Sequence, residues 1–83
     1  MNTLLAKPTV EKDLRSIRTE DLADLNDKIK SLAEQPRQHK TEKLKGVEGY
    51  RLRVGKYRIL YDINDHAKTV TIHCVQHRRE VYR

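Results

Sequence analysis

Regular alternation of apolar and polar residues over Gly49–Ile63 is the sequence feature that most constrains the fold. In this stretch, GYRLRVGKYRILYDI, every second residue of 50–54 and of 57–63 is apolar or aromatic. Successive side chains of a strand point to opposite faces of a sheet, so the pattern predicts two strands that each bury one face. Gly55 and Lys56 between them predict a tight hairpin turn.

Three arginines fall on the polar face of this hairpin: Arg51, Arg53 and Arg58. Like charges side by side on a sheet repel one another and contribute nothing to folding. We therefore interpret them as a site for a polyanion, and not merely as a solvated strand face. Arg58 is expected mid-strand on the open face, so its truncation should leave no cavity and an equal or slightly raised stability.

Two amphipathic helices are predicted before the hairpin. Pro8 suits the first position of a helix of about three turns, and Thr19 is a good N-cap for a second helix that ends before Pro36. Each helix has one apolar stripe at helical spacing. The stripe residues are Val10, Leu14 and Ile17 in the first helix and Leu22, Leu25, Ile29 and Leu32 in the second.

The remaining segments complete a small α+β fold. A short first strand is predicted at Thr3–Lys7, a loop over Arg37–Gly49 with Leu44 turned inward, and a last strand after the turn NDHAK. We expect a two-helix hairpin packed on one face of a mainly antiparallel sheet of about four strands. In the last strand, strict alternation places Val70, Ile72 and Cys74 on the apolar face and Thr71, His73 and Val75 on the other.

Composition limits the class of protein. With 83 residues the chain is expected to form a single domain over 1–83. Residues 1–36 carry 6 Lys or Arg against 7 Asp or Glu (net −1), and residues 37–83 carry 12 against 5 (net +7). A single Cys cannot form an intramolecular disulfide, and no apolar run approaches the roughly 20 residues of a membrane span. We expect a cytoplasmic protein whose basic half binds a polyanion and whose net charge of +6 disfavours self-association.

The segments EKLKGVEGYRLRVGKYRILYDI and VTIHCVQHRREVYR resemble the RelE/ParE superfamily of bacterial toxins, most closely its RelE branch. The order of elements is similar over nearly the whole chain, and the specific similarity runs from about Lys43 to Tyr82. The resemblance implies a RelE-like fold and a toxin of a type II toxin–antitoxin system. It also implies an endoribonuclease that cuts messenger RNA in the ribosomal decoding site, restrained by a cognate antitoxin with which it forms a hetero-oligomer.

The same resemblance implies which residues act on RNA. Positions that carry basic or aromatic functional residues in RelE match Arg51, Arg53, Arg58, Arg78 and Tyr82. The best-studied RelE has Lys at the first two of these positions. Because Arg stays protonated, the two arginines can stabilise charge but are poor candidates for the general base.

The remaining candidates follow from residue type and position. His77 is expected to act as the acid or base, with His73 the next candidate, and His39 and His66 are expected in loops. Cys74 is expected to be an inert thiol, and no cofactor or metal site is expected. The lysines interpreted as phosphate contacts are Lys40, Lys43, Lys45 and Lys56.

Two other functions remain open at this point. A ParE-like inhibitor of DNA gyrase would share the fold but lack this arrangement of Arg58, Arg78 and Tyr82. A non-catalytic RNA-binding module would fit the charge but would not need the arginines to converge. Cleavage of free RNA is expected to be poor, because a surface without a deep pocket requires the ribosome for alignment.

Overall fold

The computed structural model describes residues 2–38, 41–44 and 49–77, which form five strands and two helices. In chain order they are β1 (Thr3–Ala6), α1 (Pro8–Arg15), α2 (Thr19–Glu34), β2 (Thr41–Lys43), β3 (Tyr50–Val54), β4 (Tyr57–Asn64) and β5 (Thr69–His77). In space the strands follow the order β1-β5-β4-β3-β2. β1 is parallel to β5, and the other neighbouring strands are antiparallel. Within this described part of the chain, neither helix is long and apolar enough to cross a bilayer.

The predicted fold class is confirmed, but the sheet has one strand more than the expected four. The additional strand is β2, which lies within the segment 37–49 that was predicted to be a loop. Three residues are too few to show alternation, so β2 has no sequence signature of its own. It forms because the chain returns alongside β3, where Thr41 lies opposite Leu52 and Lys43 opposite Tyr50.

Both helices begin near the predicted residues, with two differences. Pro8 is the first residue of α1 as predicted, but α1 has only 8 residues and ends at Arg15. Thr19 is not the N-cap of α2, because the N-cap position is occupied by Arg18. The carbonyl of Arg18 accepts the first hydrogen bonds of the helix, from the N–H groups of Asp21 and Leu22 at 3.0 Å each.

The hydrophobic core lies between the helices and one face of the sheet. The predicted inward positions of β3 and β4 are confirmed, since Leu52, Ile59 and Tyr61 are buried. Each fully buried aliphatic side chain contributes about 1.5–3 kcal/mol to stability. The other core residues are Val10, Leu25, Leu32, Val70, Ile72 and Val75.

The hydroxyl group of the buried Tyr61 forms hydrogen bonds that connect three segments of the chain. Its hydroxyl donates to the carbonyl of Pro36 at 2.5 Å and lies 3.0 Å from Thr41 Oγ1. Burial raises the pKa of Tyr61, and the hydrogen bond from Thr41 opposes this. The phenol therefore stays neutral and joins the end of α2 to β2 and β4.

The predicted hairpin turn at Gly55-Lys56 is confirmed. Gly55 has φ +58, in the left-handed region, and a Cβ added there would meet nothing within 4 Å. Backbone conformation, and not lack of space, therefore favours glycine at this position.

Candidate functional site

The sheet face opposite the helices carries the basic hairpin residues and is called the arginine face here. Its members among the described residues include Arg51, Arg53, Arg58, Leu60, Asp62 and His73. In the β3–β4 ladder, Arg53 lies directly opposite Arg58, and Arg51 lies opposite Leu60. The hairpin register therefore brings the three predicted arginines together on one face.

Arg58 lies on this face, but the expectation that its side chain is open to solvent was wrong. Its side chain is buried, with 5% of the residue's surface exposed, whereas Arg53 is exposed. The reason is its place in the sheet: β4 is a central strand, so Arg58 has Arg53 on one side and Gln76 on the other. Truncating Arg58 would remove packed atoms, which contradicts the expectation of unchanged or raised stability.

An acidic residue that no sequence motif marks accompanies the arginines. Glu42 lies opposite Arg51 in the β2–β3 ladder and accepts a hydrogen bond from Arg51 Nη2 at 2.5 Å. This bond, followed by the charge of Arg51, lowers the pKa of Glu42, and the charges of Arg53 and Arg58 lower it further. The positive charges of all three arginines therefore stabilise the ionised carboxylate of Glu42.

β5 departs from the strict alternation that was predicted for it. Leu60 lies opposite Cys74, but the next residue of β4, Tyr61, lies opposite Ile72, so His73 is an additional residue in β5. This β-bulge changes the phase of the strand. Val75, predicted on the open face, is in the core with 5% exposed, and Cys74, predicted on the apolar face, shares a face with Leu60.

His73 and Asp62 meet across the bulge. His73 Nε2 is hydrogen-bonded to Asp62 Oδ2. The other carboxylate oxygen of Asp62 lies close to Gly49, where an added Cβ would be 3.2 Å from it. Gly49 has φ +140, so both the backbone conformation and the approach of Asp62 favour glycine. No sequence motif marks Asp62 as a site residue.

His77, the residue expected to act as the acid or base, lies on the helix side of the sheet and not on the arginine face. It pairs with Tyr57 in the β4–β5 ladder, and the two rings contact edge to face with centroids 5.2 Å apart. Tyr57 points to the helix side, since its hydroxyl donates to Asp21 of α2. The bulge is again the cause, because it reverses the faces of all later residues in β5.

Of the other predicted site residues, some lie away from the arginine face and the rest lie outside the described ranges. Lys43 lies at the edge strand β2 in register with Tyr50, on the helix side of the ladder. Lys56 is exposed in the hairpin turn and His66 in the β4–β5 turn. The predicted residues outside the described ranges are His39, Lys40, Lys45, Arg78 and Tyr82.

A cleft of about 680 Å³ opens beside the end of β4. Asp62 is in its wall, together with Tyr50 and Arg37. Arg37 lies over the Tyr50 ring at 5.5 Å and forms an ion pair with Asp65 at 2.8 Å. No group of three or more His, Cys, Asp or Glu in the described residues is placed to hold a metal ion.

The arrangement is suited to phosphate. Guanidinium groups donate charge-assisted hydrogen bonds to phosphoryl oxygens, and several on one face can stabilise negative charge that develops during a reaction. Cys74 is a poor nucleophile there, because burial, followed by the negative charge of Asp13, raises the pKa of its thiol.

Comparison with known proteins identifies the family. A family model for the ParE toxin of type II toxin–antitoxin systems matches residues 4–82. No curated protein matches the sequence.

Solved structures of RelE toxins are similar over nearly the whole chain. In the RelBE2 toxin–antitoxin complex of Mycobacterium tuberculosis, the matched chain is 29% identical, with 93% of this chain and 98% of that chain covered and a TM-score of 0.84. The archaeal RelE–RelB complex of Pyrococcus horikoshii gives 25% identity, coverages of 93% and 94%, and a TM-score of 0.82. The isolated RelE toxin of E. coli gives 25% identity, coverages of 99% and 92%, and a TM-score of 0.79. We conclude that this chain belongs to the ParE toxin family of type II toxin–antitoxin systems, on the RelE branch of the RelE/ParE superfamily.

Proposed function

We propose that this toxin is a ribosome-dependent endoribonuclease that cleaves messenger RNA in the decoding site without a metal ion. The observation that carries the proposal is the arginine cluster, in which Arg53 lies opposite Arg58 and Arg51 lies two residues further along β3 on the same face. Three guanidinium groups on one face are suited to one backbone phosphate and its neighbour. Arg78 and Tyr82 are proposed to complete the site, with Tyr82 stacking on a base.

The proposed reaction is attack of a ribose 2′-oxygen on the adjacent phosphorus. The 2′-oxygen–phosphorus bond forms and the phosphorus–5′-oxygen bond breaks, leaving a 2′,3′-cyclic phosphate and a 5′-hydroxyl. A base accepts the proton of the 2′-hydroxyl, and the departing 5′-oxygen takes up a proton from solvent water. Negative charge accumulates on the phosphoryl oxygens, so loss of one arginine donor should slow the step by about 10²-fold.

The ribosome is proposed to supply alignment. The arginine face is one side of a sheet, and holding the 2′-hydroxyl in line with the leaving oxygen needs further contacts that the decoding site provides. Lys45 and Lys56 are proposed to bind phosphates near the arginine face without reading sequence, and Lys43, on the helix side of the edge strand β2, is proposed to bind phosphate only at the sheet edge.

A cognate antitoxin is proposed as the inhibitory partner. The RelBE2 and RelE–RelB structures are toxin–antitoxin complexes. Here the net charge of +6 favours an antitoxin whose acidic residues cover the arginine face and whose apolar helix or strand binds beside it. The free toxin is proposed to be monomeric and the inhibited form a hetero-oligomer.

The test is incubation of the purified toxin with ribosomes carrying a defined messenger, followed by mapping of the RNA ends. New ends in the decoding site that carry a 2′,3′-cyclic phosphate support the proposal, and they should persist with 1,10-phenanthroline, which removes transition metals but leaves ribosomal magnesium. The double variant Arg51→Ala/Arg53→Ala should cleave at least 10²-fold more slowly. A matched control, Lys12→Ala/Lys30→Ala, removes the same charge from exposed helix positions and should cleave normally.

Inhibition of DNA gyrase is tested in parallel, because the matching family model is that of the ParE toxin. If the protein instead blocks DNA gyrase supercoiling and leaves messenger intact, it is a protein-binding toxin. Binding to RNA without new ends would identify a non-catalytic RNA-binding module. Either result would refute the endoribonuclease proposal.

A further inference from the structure

His73 lies on the arginine face, as strict alternation predicts, and the β-bulge brings the next residue, Cys74, to the same face. Ile72 and Val75 both point into the core, so the two residues between them, His73 and Cys74, share the other side of β5. His73 is partly exposed, with 31% of its side chain accessible. A bulge that redirects a side chain is a recurring feature next to active sites.

The bulge is held in place from α1, on the free edge of β5. β1 ends opposite Ile72, so no strand among the described residues pairs with the following backbone groups of β5 on that side. Thr9 Oγ1 donates to the carbonyl of His73 at 2.8 Å, and the N–H of Val75 donates to Asp13 Oδ2 at 3.1 Å. Side chains of α1 therefore hold the backbone of β5 on both sides of the bulge, at His73 and at Val75.

Asp62 determines which nitrogen of His73 is basic. A carboxylate only accepts hydrogen bonds, so the ring nitrogen bound to Asp62, Nε2, carries the hydrogen. The lone pair is then on Nδ1, which makes no hydrogen bond to any residue of 2–38, 41–44 or 49–77. A partly exposed imidazole with one nitrogen oriented by a carboxylate and the other available is the arrangement used in general base catalysis.

The pair lies next to the arginine cluster. Asp62 neighbours Gly49 across the β3–β4 ladder, and Arg51 is two residues further along β3 on the same face. Such diagonal neighbours have backbones about 7–8 Å apart, a gap that an arginine side chain and a ribose phosphate can bridge. Among the described residues, the charged and titratable groups on β5 and on the elements beside it are Asp62 and Arg58 on β4, Cys74 on β5, Asp13 on α1, and Lys7 after β1. Arg51 and Arg53 on β3 and Glu42 on β2 lie further across the same face.

We propose that His73 is the general base of this toxin and that Asp62 is its positioning residue. The inference rests on the proposed endoribonuclease function. His73 Nδ1 accepts the proton of the ribose 2′-hydroxyl as the 2′-oxygen bonds to phosphorus, and the imidazolium that forms is stabilised by the Asp62 carboxylate. The arginines hold the phosphate in this scheme and need not lose a proton, which removes the difficulty that Arg51 and Arg53 pose as bases.

The experiment compares single-turnover cleavage on programmed ribosomes between pH 5.5 and 8.5. In the parent, the rate should fall as the pH is lowered, because protonated His73 cannot accept a proton. His73→Gln should reduce the rate by about 10²-fold and abolish this fall, and added imidazole should partly restore cleavage by His73→Ala. Asp62→Asn should reduce the rate by less than His73→Gln does, and it should shift the acid limb of the pH–rate profile. A purely structural role of Asp62 would leave the position of that limb unchanged.

His66→Gln is the matched control, because His66 is exposed in the β4–β5 turn. It should retain the parental rate and pH profile. If the parent cleaves and folded His73→Gln keeps the parental rate and profile, His73 is not the base, while the endoribonuclease function stands. If His73→Gln does not fold, an unchanged profile in Asp62→Asn overturns the inference in the same way. A parent that cuts no messenger overturns both proposals.

Discussion

Arg53 and Arg58 lie directly opposite each other across the β3–β4 ladder, yet one is exposed and the other buried. Two like charges in adjacent positions repel each other and oppose folding, and an anion bound to both would offset this repulsion. Because only Arg58 is buried, replacing Arg58 should reduce both stability and activity, whereas replacing Arg53 should reduce activity alone.

Arg58→Ala is expected to lower the free energy of unfolding by about 1–3 kcal/mol, because it removes buried aliphatic atoms from a central strand. Arg53→Ala should change stability by less than about 0.5 kcal/mol, because the side chain is exposed. Both variants should cleave messenger on ribosomes about 10²-fold more slowly than the parent. Urea unfolding and single-turnover cleavage measure the two quantities. Parental stability in Arg58→Ala, or parental cleavage in Arg53→Ala, would contradict this interpretation.

His77→Phe is expected to retain cleavage within about threefold of the parental rate. The ring of His77 packs against Tyr57 on the helix side of the sheet, and an aromatic replacement preserves an edge-to-face contact worth about 0.5–1.5 kcal/mol. His77→Ala should therefore lose stability and not catalytic chemistry. A large loss of rate in a stably folded His77→Phe would return His77 to the role of acid or base that the sequence suggested.

Asp13→Ala is expected to cost about 1–3 kcal/mol of stability, because it leaves the part-buried N–H of Val75 without its acceptor. Asp13→Asn keeps an acceptor oxygen and should cost less. Thr9→Ala removes an exposed hydrogen bond to the same bulge and should cost about 0.5–1 kcal/mol. Chemical denaturation of the three variants gives the order; equal costs for Asp13→Ala and Asp13→Asn would show that this hydrogen bond is not the source.

The ion pair between Arg37 and Asp65 is expected to make stability depend on pH in the acid range. The hydrogen bond from Arg37 lowers the pKa of Asp65 in the folded protein. A depressed carboxyl pKa contributes stability that is present above the unfolded value of about 3.9 and is lost as the pH falls through the lower folded value. Urea unfolding of the parent and of Asp65→Asn should therefore differ near neutrality and converge at the lowest pH. Because both side chains are largely exposed, 0.5 M salt should reduce the difference; a difference that grows on acidification would have the wrong sign.

The sequence by itself determined the elements that repeat a regular pattern. Alternation over residues 50–63 specified the β3–β4 hairpin, the core faces of Leu52, Ile59 and Tyr61, and the common face of Arg51, Arg53 and Arg58. These features are local, because a strand that buries one face needs a period of two wherever it lies. The short strand β2 has too few residues to show any period, and only its pairing with β3 made it part of the sheet.

The tertiary structure alone decided the rest of the site. No local pattern marks the additional residue in β5, since the bulge depends on pairing with β4 and on side chains of α1 that are more than 60 residues away in sequence. That one residue exchanged the faces of Cys74 and Val75 and moved His77 to the helix side. Burial of Arg58 likewise follows from the central place of β4 in the sheet. Such features arise from contacts between segments that are distant in sequence. A local sequence pattern carries no information about those contacts.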